Sequence, residues 1–432
     1  MRGHNMKDIH VLIVNYTVRS DLNKALASLA YISDQVKKVT VFDCYYPYLS
    51  KIPGVMQFDI EHIDAGNDLG MSLNIYLQTI TTEYVLFLFN HEVLTAKSRD
   101  ILVNLTHHKS IINVQNKNKD SNYFKPLTIK TAFLKQTPFL LEREVPFKEM
   151  IFHLWVLEKS KLDITTLREN VIEEIRNINN ITNQEKLRFA HKLIECGPKI
   201  IKPNPTLSVM ISNYNMVKFL SVAIQSCFMQ TIPFDQIIVI DDGSTDESLS
   251  MLEKWNSYPN VKLFYKQNEG KAKALNYIVP FVTSDFVLEL DADDWLDPDA
   301  VFLIKSHLEN IKSNISLLYG NWRYWNQKAK GEVEFSKVRK GKPINNSQEL
   351  LSYPLPLGPR IYRTSILKEE GGFPIIDFEQ GRLYEDVSVL FNFLKKYEFS
   401  YRDFTVYNVR KHKDSITKKN HSKWNDFKRF LT

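Results

Sequence analysis

Cysteine is scarce: Cys44, Cys196 and Cys227 are the only three in 432 residues. So few and so scattered, they exclude a disulfide framework or a zinc site and make a reducing compartment the default. Their expected role is as small buried apolar residues. No uninterrupted apolar run approaches the roughly 18 to 20 residues that span a bilayer, and Met1-Arg2-Gly3-His4-Asn5-Met6-Lys7-Asp8 lacks the apolar region of a signal peptide. A cytoplasmic protein is expected. The body of the chain also lacks an excess of either charge, because residues 408–432 carry eight Lys or Arg against Asp414 and Asp426 and so hold the whole formal +6. A neutral body gives no reason to expect nucleic acid as a partner. The basic tail, interleaved with Trp424, Phe427 and Phe430, suits peripheral contact with an anionic membrane face or an anionic polymer, and suits a solvated final helix equally.

What is present is an ordinary globular composition, 44% hydrophobic and 25% charged, over a length sufficient for two domains. The chain also repeats itself. Val11-Leu12-Ile13-Val14-Asn15-Tyr16 lies over Val209-Met210-Ile211-Ser212-Asn213-Tyr214, and the same offset places Leu22, Ala25 and Ser28 on Leu220, Ala223 and Ser226. With four further residues of offset, Tyr84-Val85-Leu86-Phe87-Leu88 falls on Phe286-Val287-Leu288-Glu289-Leu290. Each copy reads strand, helix, strand, then another helix and strand, an order that implies parallel strands joined by right-handed crossovers. In the second copy the expected elements are a strand over 207–212, a helix over 217–229 and a strand over 236–240. Between the copies, Leu167, Val171, Ile172 and Ile175 have helical spacing, and Pro198, Pro203 and Pro205 predict a stiff, extended exit.

Two strand ends in the second copy carry carboxylates. Asp241-Asp242-Gly243-Ser244 follows one strand, and Asp291-Ala292-Asp293-Asp294 follows the apolar run Phe286 to Leu290. Strand C-terminal edges are where open α/β sheets bind ligands, and such a cluster repels itself unless a hard cation, a proton or solvent compensates it. A calcium loop does not fit, since Trp295 and Leu296 stand where an EF-hand needs an oxygen ligand and Gly. A nucleotidyltransferase would resemble its relatives in a Gly- and Arg-rich loop, whereas this position reads Asn213-Tyr214-Asn215-Met216.

Ser212-Asn213-Tyr214-Asn215, Gln230-Thr231, Asp241 to Asp246, Asn268 to Asn276 and Leu290 to Asp294, taken in order and spacing, resemble a family 2 glycosyltransferase of the GT-A fold. Gly371-Gly372-Phe373-Pro374, Tyr384-Glu385-Asp386 and Arg410-Lys411-His412 with Ser415 continue the pattern, so the resemblance covers most of 206–417. It implies an α/β fold of two GT-A-like (nucleotide-diphospho-sugar transferase) Rossmann-type domains. It further implies a metal-dependent, inverting hexosyl- or N-acetylhexosaminyl-transferase using Mn2+ or Mg2+ and a nucleotide-sugar donor, a UDP-sugar by expectation, in synthesis of a surface polysaccharide or glycoconjugate. By the family's pattern Tyr214 and Asp242 take the uracil, with Ser212 and Asp241 beside them, and Asp291 reaches the ribose. Asp293 ligates the metal, and His412 sits near the metal or diphosphate. Lys271 and Lys273, near a helix start, suit the diphosphate, and Lys273 matches the family's basic position more closely. Asp386 is the expected base on the acceptor side, with Glu385 orienting it or touching the acceptor.

The first copy keeps the apolar frame and drops these groups. Cys44 replaces Asp242 although Asp43 remains, Met71 stands where Lys273 does, Phe89-Asn90-His91-Glu92 covers Asp291 to Asp294, and a looser alignment through Lys148-Glu149 puts Met150 at Asp386. The expected layout is thus a degenerate, non-catalytic GT-A-like domain at 1–160, a helical connector at 161–205, a catalytic domain at 206–417 and a basic tail at 418–432. The degenerate copy would bind the carbohydrate acceptor or mediate assembly, including self-association. The competing class is a non-catalytic sugar- or nucleotide-binding or assembly protein that kept its motifs for binding.

Overall fold

The computed structural model describes residues 8–16, 18–42, 58–65, 68–103, 110–114, 124–139, 145–147, 150–159, 164–167, 171–175, 180–194, 205–328, 332–352, 357–413 and 423–431. Asp43, Cys44, Lys148, Glu149, Cys196, Pro198, Pro203, Asp414 and Ser415 lie outside the described residues. Two compact units divide the chain, Met1–Ala190 and His191–Thr432.

The first unit holds β1 (Ile9–Val14), β2 (Val36–Phe42), β3 (Ile60–Ile63), β4 (Tyr84–Phe89), β5 (Glu92–Leu94), β6 (Ser110–Val114), β7 (Phe124–Lys130), β8 (Ile164–Leu167) and β9 (Ile172–Glu174). The second holds β10 (Leu207–Asn213), β11 (Gln236–Asp242), β12 (Val261–Lys266), β13 (Phe286–Asp291), β14 (Trp295–Leu296), β15 (Ile315–Gln327), β16 (Val333–Arg339), β17 (Arg360–Arg363) and β18 (Glu398–Lys411). The first sheet runs β3-β2-β1-β4-β7-β6-β8 and the second β12-β11-β10-β13-β17-β15-β18, with β14 beyond β18 and β16 on β15. Strand for strand the order is the same.

Small contacts repeat with the topology. Asn74 both donates to the Phe139 carbonyl and accepts from its N–H, and Asn276 does the same with Phe373. Ser28 Oγ accepts the Leu94 N–H while donating to Ala25, as Ser226 does for Leu296 and Ala223. Buried polar groups have to be satisfied, so these side chains pin the same junctions in each sheet.

Parallel pairing holds from β12 through β13, as the strand and helix alternation implies. Beyond β13 the sheet becomes mixed, because β17 pairs antiparallel to β13 and to β15. The helical connector is corrected too: Ile164–Leu167 and Ile172–Glu174 are strands, β8 pairing with β6 and β9 with β5, in the places where the single strand β18 pairs with β15 and β14. Ile164-Thr165-Thr166 is β-branched and favours the pleated form despite the spacing downstream. The helix itself is confined to Asn180–Ile194, and the first unit continues to Ala190.

Helix Val217–Phe228 shows why these segments fold as they do. Leu220, Ala223, Ile224 and Cys227 recur at helical spacing and bury one stripe against Val209, Ile211 and Val239 of the sheet. Burial pushes the Cys227 thiol up, which leaves it an inert core group. Trp322, Tyr324 and Trp325 of β15 are also core. In the tail, Phe427 of helix Trp424–Leu431 is fully buried and stacks on Tyr384 at 4.5 Å, with Trp424 5.4 Å from the same ring. Its aromatic side therefore packs inward, and Phe430 stays half-exposed. Among the described residues no helix is long and apolar enough to cross a membrane.

Candidate active site

In the second unit β11 and β13 flank β10, so their C-terminal ends face one crevice, at the point where the chain switches direction across the sheet. Asn213, Asp242 and Asp291 are the last residues of these three strands. Asp241 closes its own turn: it accepts from Asn213 Nδ2 at 2.7 Å and from the Ser244 N–H and hydroxyl at 2.8 and 2.7 Å. Gly243 turns at φ 74°, and a Cβ there would come within 2.6 Å of the Asn268 nitrogen, so both conformation and space call for glycine.

Asp242 is buried, and its two oxygens accept from Lys266 Nζ (3.1 Å), Asn268 Nδ2 (3.2 Å), Glu269 N (3.1 Å) and Gly270 N (2.8 Å). Its carboxylate therefore holds the 268–270 loop in place. Ser212 is half-buried at the end of β10, and Tyr214 beyond it is 46% exposed, a free aromatic face at the crevice.

The two lysines part company. Lys271 opens helix Lys271–Ile278 and reaches Asp291 at 2.5 Å, Glu289 at 2.8 Å and Glu385 at 3.6 Å. Burial opposes its charge, but the carboxylates of Asp291, Glu289 and Glu385 outweigh that and raise its pKa well above the ordinary lysine value. Lys273 points away, pairs with Glu269 at 3.1 Å and is 42% exposed. Residues two apart on a helix lie on opposite sides, and of the two lysines Lys271 is the one that meets Asp291, Glu289 and Glu385.

Asp291 stands partly exposed, its backbone N–H held by the Tyr407 hydroxyl. Asp293 Oδ2 lies 2.8 Å from His412 Nε2 and accepts its N–H in the tautomer that carries the proton there. Asp294 is buried on the Arg410 N–H, and burial together with the charges of Asp293 and Asp291 pushes its pKa well above the usual carboxylate value. Arg410 lies between the rings of Trp295 and Phe219; burial lowers its guanidinium to about 10 against the pull of Asp294 and Asp293. Asp294 and Arg410 shape the loop, while Asp293 stays partly exposed beside His412, whose ring packs on Phe219 at 4.9 Å.

Those two side chains suit a divalent cation. Among the described residues no group of three His, Cys, Asp or Glu side chains is placed to hold a metal. Mn2+ or Mg2+ with two protein donors and its other positions open to ligand oxygens fits this geometry, and it would relieve the carboxylate repulsion felt at Asp294.

Opposite stand Glu385 and Asp386, in the first turn of helix Glu385–Phe393, which buries Val387, Val389, Leu390 and Phe393. Tyr384 enters the helix at φ 61°, a left-handed conformation costly for a side chain of its size. Arg360 donates to Asp386 Oδ2 at 3.2 Å. Burial, with Asp386 and Glu289 adding their charge and Lys271 opposing, raises Glu385 to about 7.

Glu289 and Arg360 are the residues that sequence reasoning misses. Arg360 forks onto Glu289 through Nε (2.8 Å) and Nη2 (2.9 Å), and the Tyr362 hydroxyl adds a third bond at 3.0 Å. Burial pushes Glu289 up, but Arg360 and Lys271 outweigh it and hold it well below the usual range. The available signal is a lone Glu inside the apolar run Phe286 to Leu290, since a charge on a buried central strand needs a partner.

Residues 208–370 match the family described as Glycosyl transferase family 2. Chondroitin synthase of Escherichia coli is 34% identical over 33% of this chain and 21% of its own length. Hyaluronan synthase of Pasteurella multocida is 32% identical over 30% of this chain and 13% of its own. The matched segment thus spans about a fifth or less of these relatives. Among solved structures, S. aureus TarS 1-349 in complex with UDP-GlcNAc aligns at 20% identity and TM-score 0.39, over 52% of this chain and 65% of that one. The mannosyltransferase PcManGT of Pyrobaculum calidifontis, with GDP-Man and Mn2+, aligns at 17% identity and TM-score 0.38, over 58% and 72%.

Proposed function

We propose that the second unit, in which residues 208–370 match the family described as Glycosyl transferase family 2, moves a sugar, with inversion, from a nucleoside-diphosphate donor to a hydroxyl of a growing polysaccharide. The observation that carries this reading is one crevice lined on the donor side by Lys271, Asp291, Asp293 and His412 and on the other by Glu385 and Asp386, with Lys271 reaching both. The names of two relatives, a chondroitin and a hyaluronan synthase, support a polysaccharide product.

The donor is a uridine diphosphate sugar in this proposal. Tyr214 supplies the stacking face for the base, Ser212 and the 268–270 loop held by Asp242 line its pocket, and Asp291 takes the ribose hydroxyls. Lys271 exchanges its contact with Asp291 for the diphosphate and keeps the one with Glu289. Bound at Asp293 and His412, Mn2+ or Mg2+ would neutralise the diphosphate and stabilise it as a leaving group. Asp386 accepts the proton of the acceptor hydroxyl as its oxygen bonds the anomeric carbon; the bond from that carbon to the phosphate oxygen breaks, and the nucleoside diphosphate leaves with the electron pair. The first unit, with the same strand order and without these groups, is read as a degenerate copy that binds acceptor or mediates assembly.

The test is a screen of nucleotide sugars for Mn2+-dependent nucleoside diphosphate release. Wild type should turn over one donor class, Asp293→Ala should abolish release, and Lys271→Ala should lower kcat/KM by about 100-fold, the scale of removing one cationic or hydrogen-bond partner of a developing anion. Lys273→Ala should stay within about twofold, as an exposed ion pair contributes little. No metal-dependent release with any donor would sink the enzyme reading, and a Lys273→Ala loss as large as that of Lys271→Ala would sink the assignment of the diphosphate contact.

A further inference from the structure

We propose that Arg360, clamped by Glu289, is a positioning residue that aims Asp386 at the acceptor hydroxyl; this rests on the transferase reading above. All three guanidinium nitrogens are committed. Nε and Nη2 take the two oxygens of Glu289, and Nη1 bonds Asp386 Oδ2 at 3.2 Å and the Leu357 carbonyl at 3.3 Å. Glu289 cannot rotate away, because Tyr362 and Lys271 hold the same oxygens. The plane of Arg360 is therefore fixed, and with it the direction from which Asp386 is held. The other oxygen of Asp386 accepts the Val387 N–H, and each oxygen keeps a lone pair for the acceptor.

Stability does not require this arrangement. Buried ion pairs are often matched or bettered by apolar residues of similar volume. The first sheet is an internal case. Phe87 pairs with Leu12 in the register in which Glu289 pairs with Met210, and Ile129 faces Val85 as Tyr362 faces Val287. Leu127 stands two residues before Ile129, as Arg360 does before Tyr362, and Leu69 opens its helix as Lys271 does. Phe87, Leu127, Ile129 and Leu69 are all buried, so the same strand order closes on apolar residues where no Asp386 is present. Met150 takes that place in the alignment. A charged lattice is retained only in the unit with a base to orient.

The test uses the full chain with two variants, turnover of the donor selected in the screen, and calorimetric binding of UDP with Mn2+. R360K keeps a cation but cannot fork onto Glu289 while reaching Asp386. E289F/R360L installs the residues of the first unit. Both should melt within about 5 °C of wild type and bind UDP with Mn2+ within about threefold, yet lose kcat by about 100-fold, the cost of a base displaced by about an ångström. Added to Asp386→Asn, R360K should cost nothing more, because the two residues act as a unit. Undiminished kcat in R360K, equal losses of kcat and UDP affinity, full multiplication with Asp386→Asn, or an E289F/R360L chain that fails to fold would each overturn the inference. A wild type that turns over no donor sinks the transferase reading first, whereas an R360K that matches an active wild type sinks only the role of Arg360.

Discussion

Glu385 is the residue whose environment makes the sharpest statement about pH. It sits largely buried one residue before the proposed base, and it is raised from 4.5 to about 7, by burial first and by the charges of Asp386 and Glu289 next, against Lys271. A carboxyl raised in the folded state binds its proton more tightly there than in the unfolded chain. Its contribution to stability is therefore complete below about pH 4.5, falls as the unfolded chain ionises, and is gone once pH passes about 7. Glu385→Gln keeps the shape and removes the titration. Measured by urea unfolding, the variant should gain on wild type between pH 5 and pH 8 by up to about 3 kcal/mol, because each pH unit separating the folded and unfolded ionisations is worth about 1.4 kcal/mol. A stability difference that is flat across that window would mean that Glu385 titrates normally.

At the scale of elements, the tail helix Trp424–Leu431 is the part whose role differs most from its composition. Phe427 stacks on Tyr384 and meets Phe378 at 5.4 Å, while Lys423 pairs with Glu379 at 2.8 Å, so the helix covers the 378–384 segment that leads into Glu385 and Asp386. From the same segment Arg382 reaches Asn268 at 2.8 Å, in the loop that Asp242 holds. Phe427→Ala should release the tail locally. We expect faster amide exchange across 378–388 with β10, β11 and β13 unchanged, and a lower kcat with the affinity for UDP and Mn2+ kept within about threefold. Equal acceleration in the sheet would instead make the helix part of the global core.

Much of this architecture is legible in the sequence, for reasons particular to each element. Helix Val217–Phe228 and strands β10, β11 and β13 have uniform periodicity and short range, so their bounds differ from expectation by only a residue or two. Ile164–Leu167 is not legible, since Leu167 with Val171, Ile172 and Ile175 at helical spacing outvotes a four-residue strand whose partner β6 is far away in sequence. The carboxylate motifs announce Asp293, Asp386 and Lys271 as candidates, yet the choice between Lys271 and Lys273 depends on which helix face meets β13. Arg360 opens a strand of four residues, and its partner Glu289 lies 71 positions earlier. No local pattern could join them; only the antiparallel register of β13 and β17 does.

For the whole molecule, the question is whether the second unit carries its chemistry alone. Its sheet is filled on one face by the cluster of Leu207, Ile211, Leu220, Val239 and Leu288 and on the other by that of Met210, Ile238, Leu275, Tyr362 and Leu390. Both layers come from residues beyond 205, and Lys192 adds ion pairs to Asp297 and Asp299 at 3.1 and 2.8 Å from helix Asn180–Ile194. A domain that owns both faces of its sheet is expected to fold by itself. Residues 180–432, which keep that helix whole, should therefore unfold in a single cooperative transition and release nucleoside diphosphate from the donor within about threefold of the full chain, because every residue assigned to the donor lies within them. If the first unit holds the acceptor, the same fragment should show a higher KM for a long glycan acceptor and an unchanged KM for the donor. A fragment that folds but loses donor turnover would place part of the donor machinery in Met1–Ala190, and would end the view of that unit as a degenerate copy.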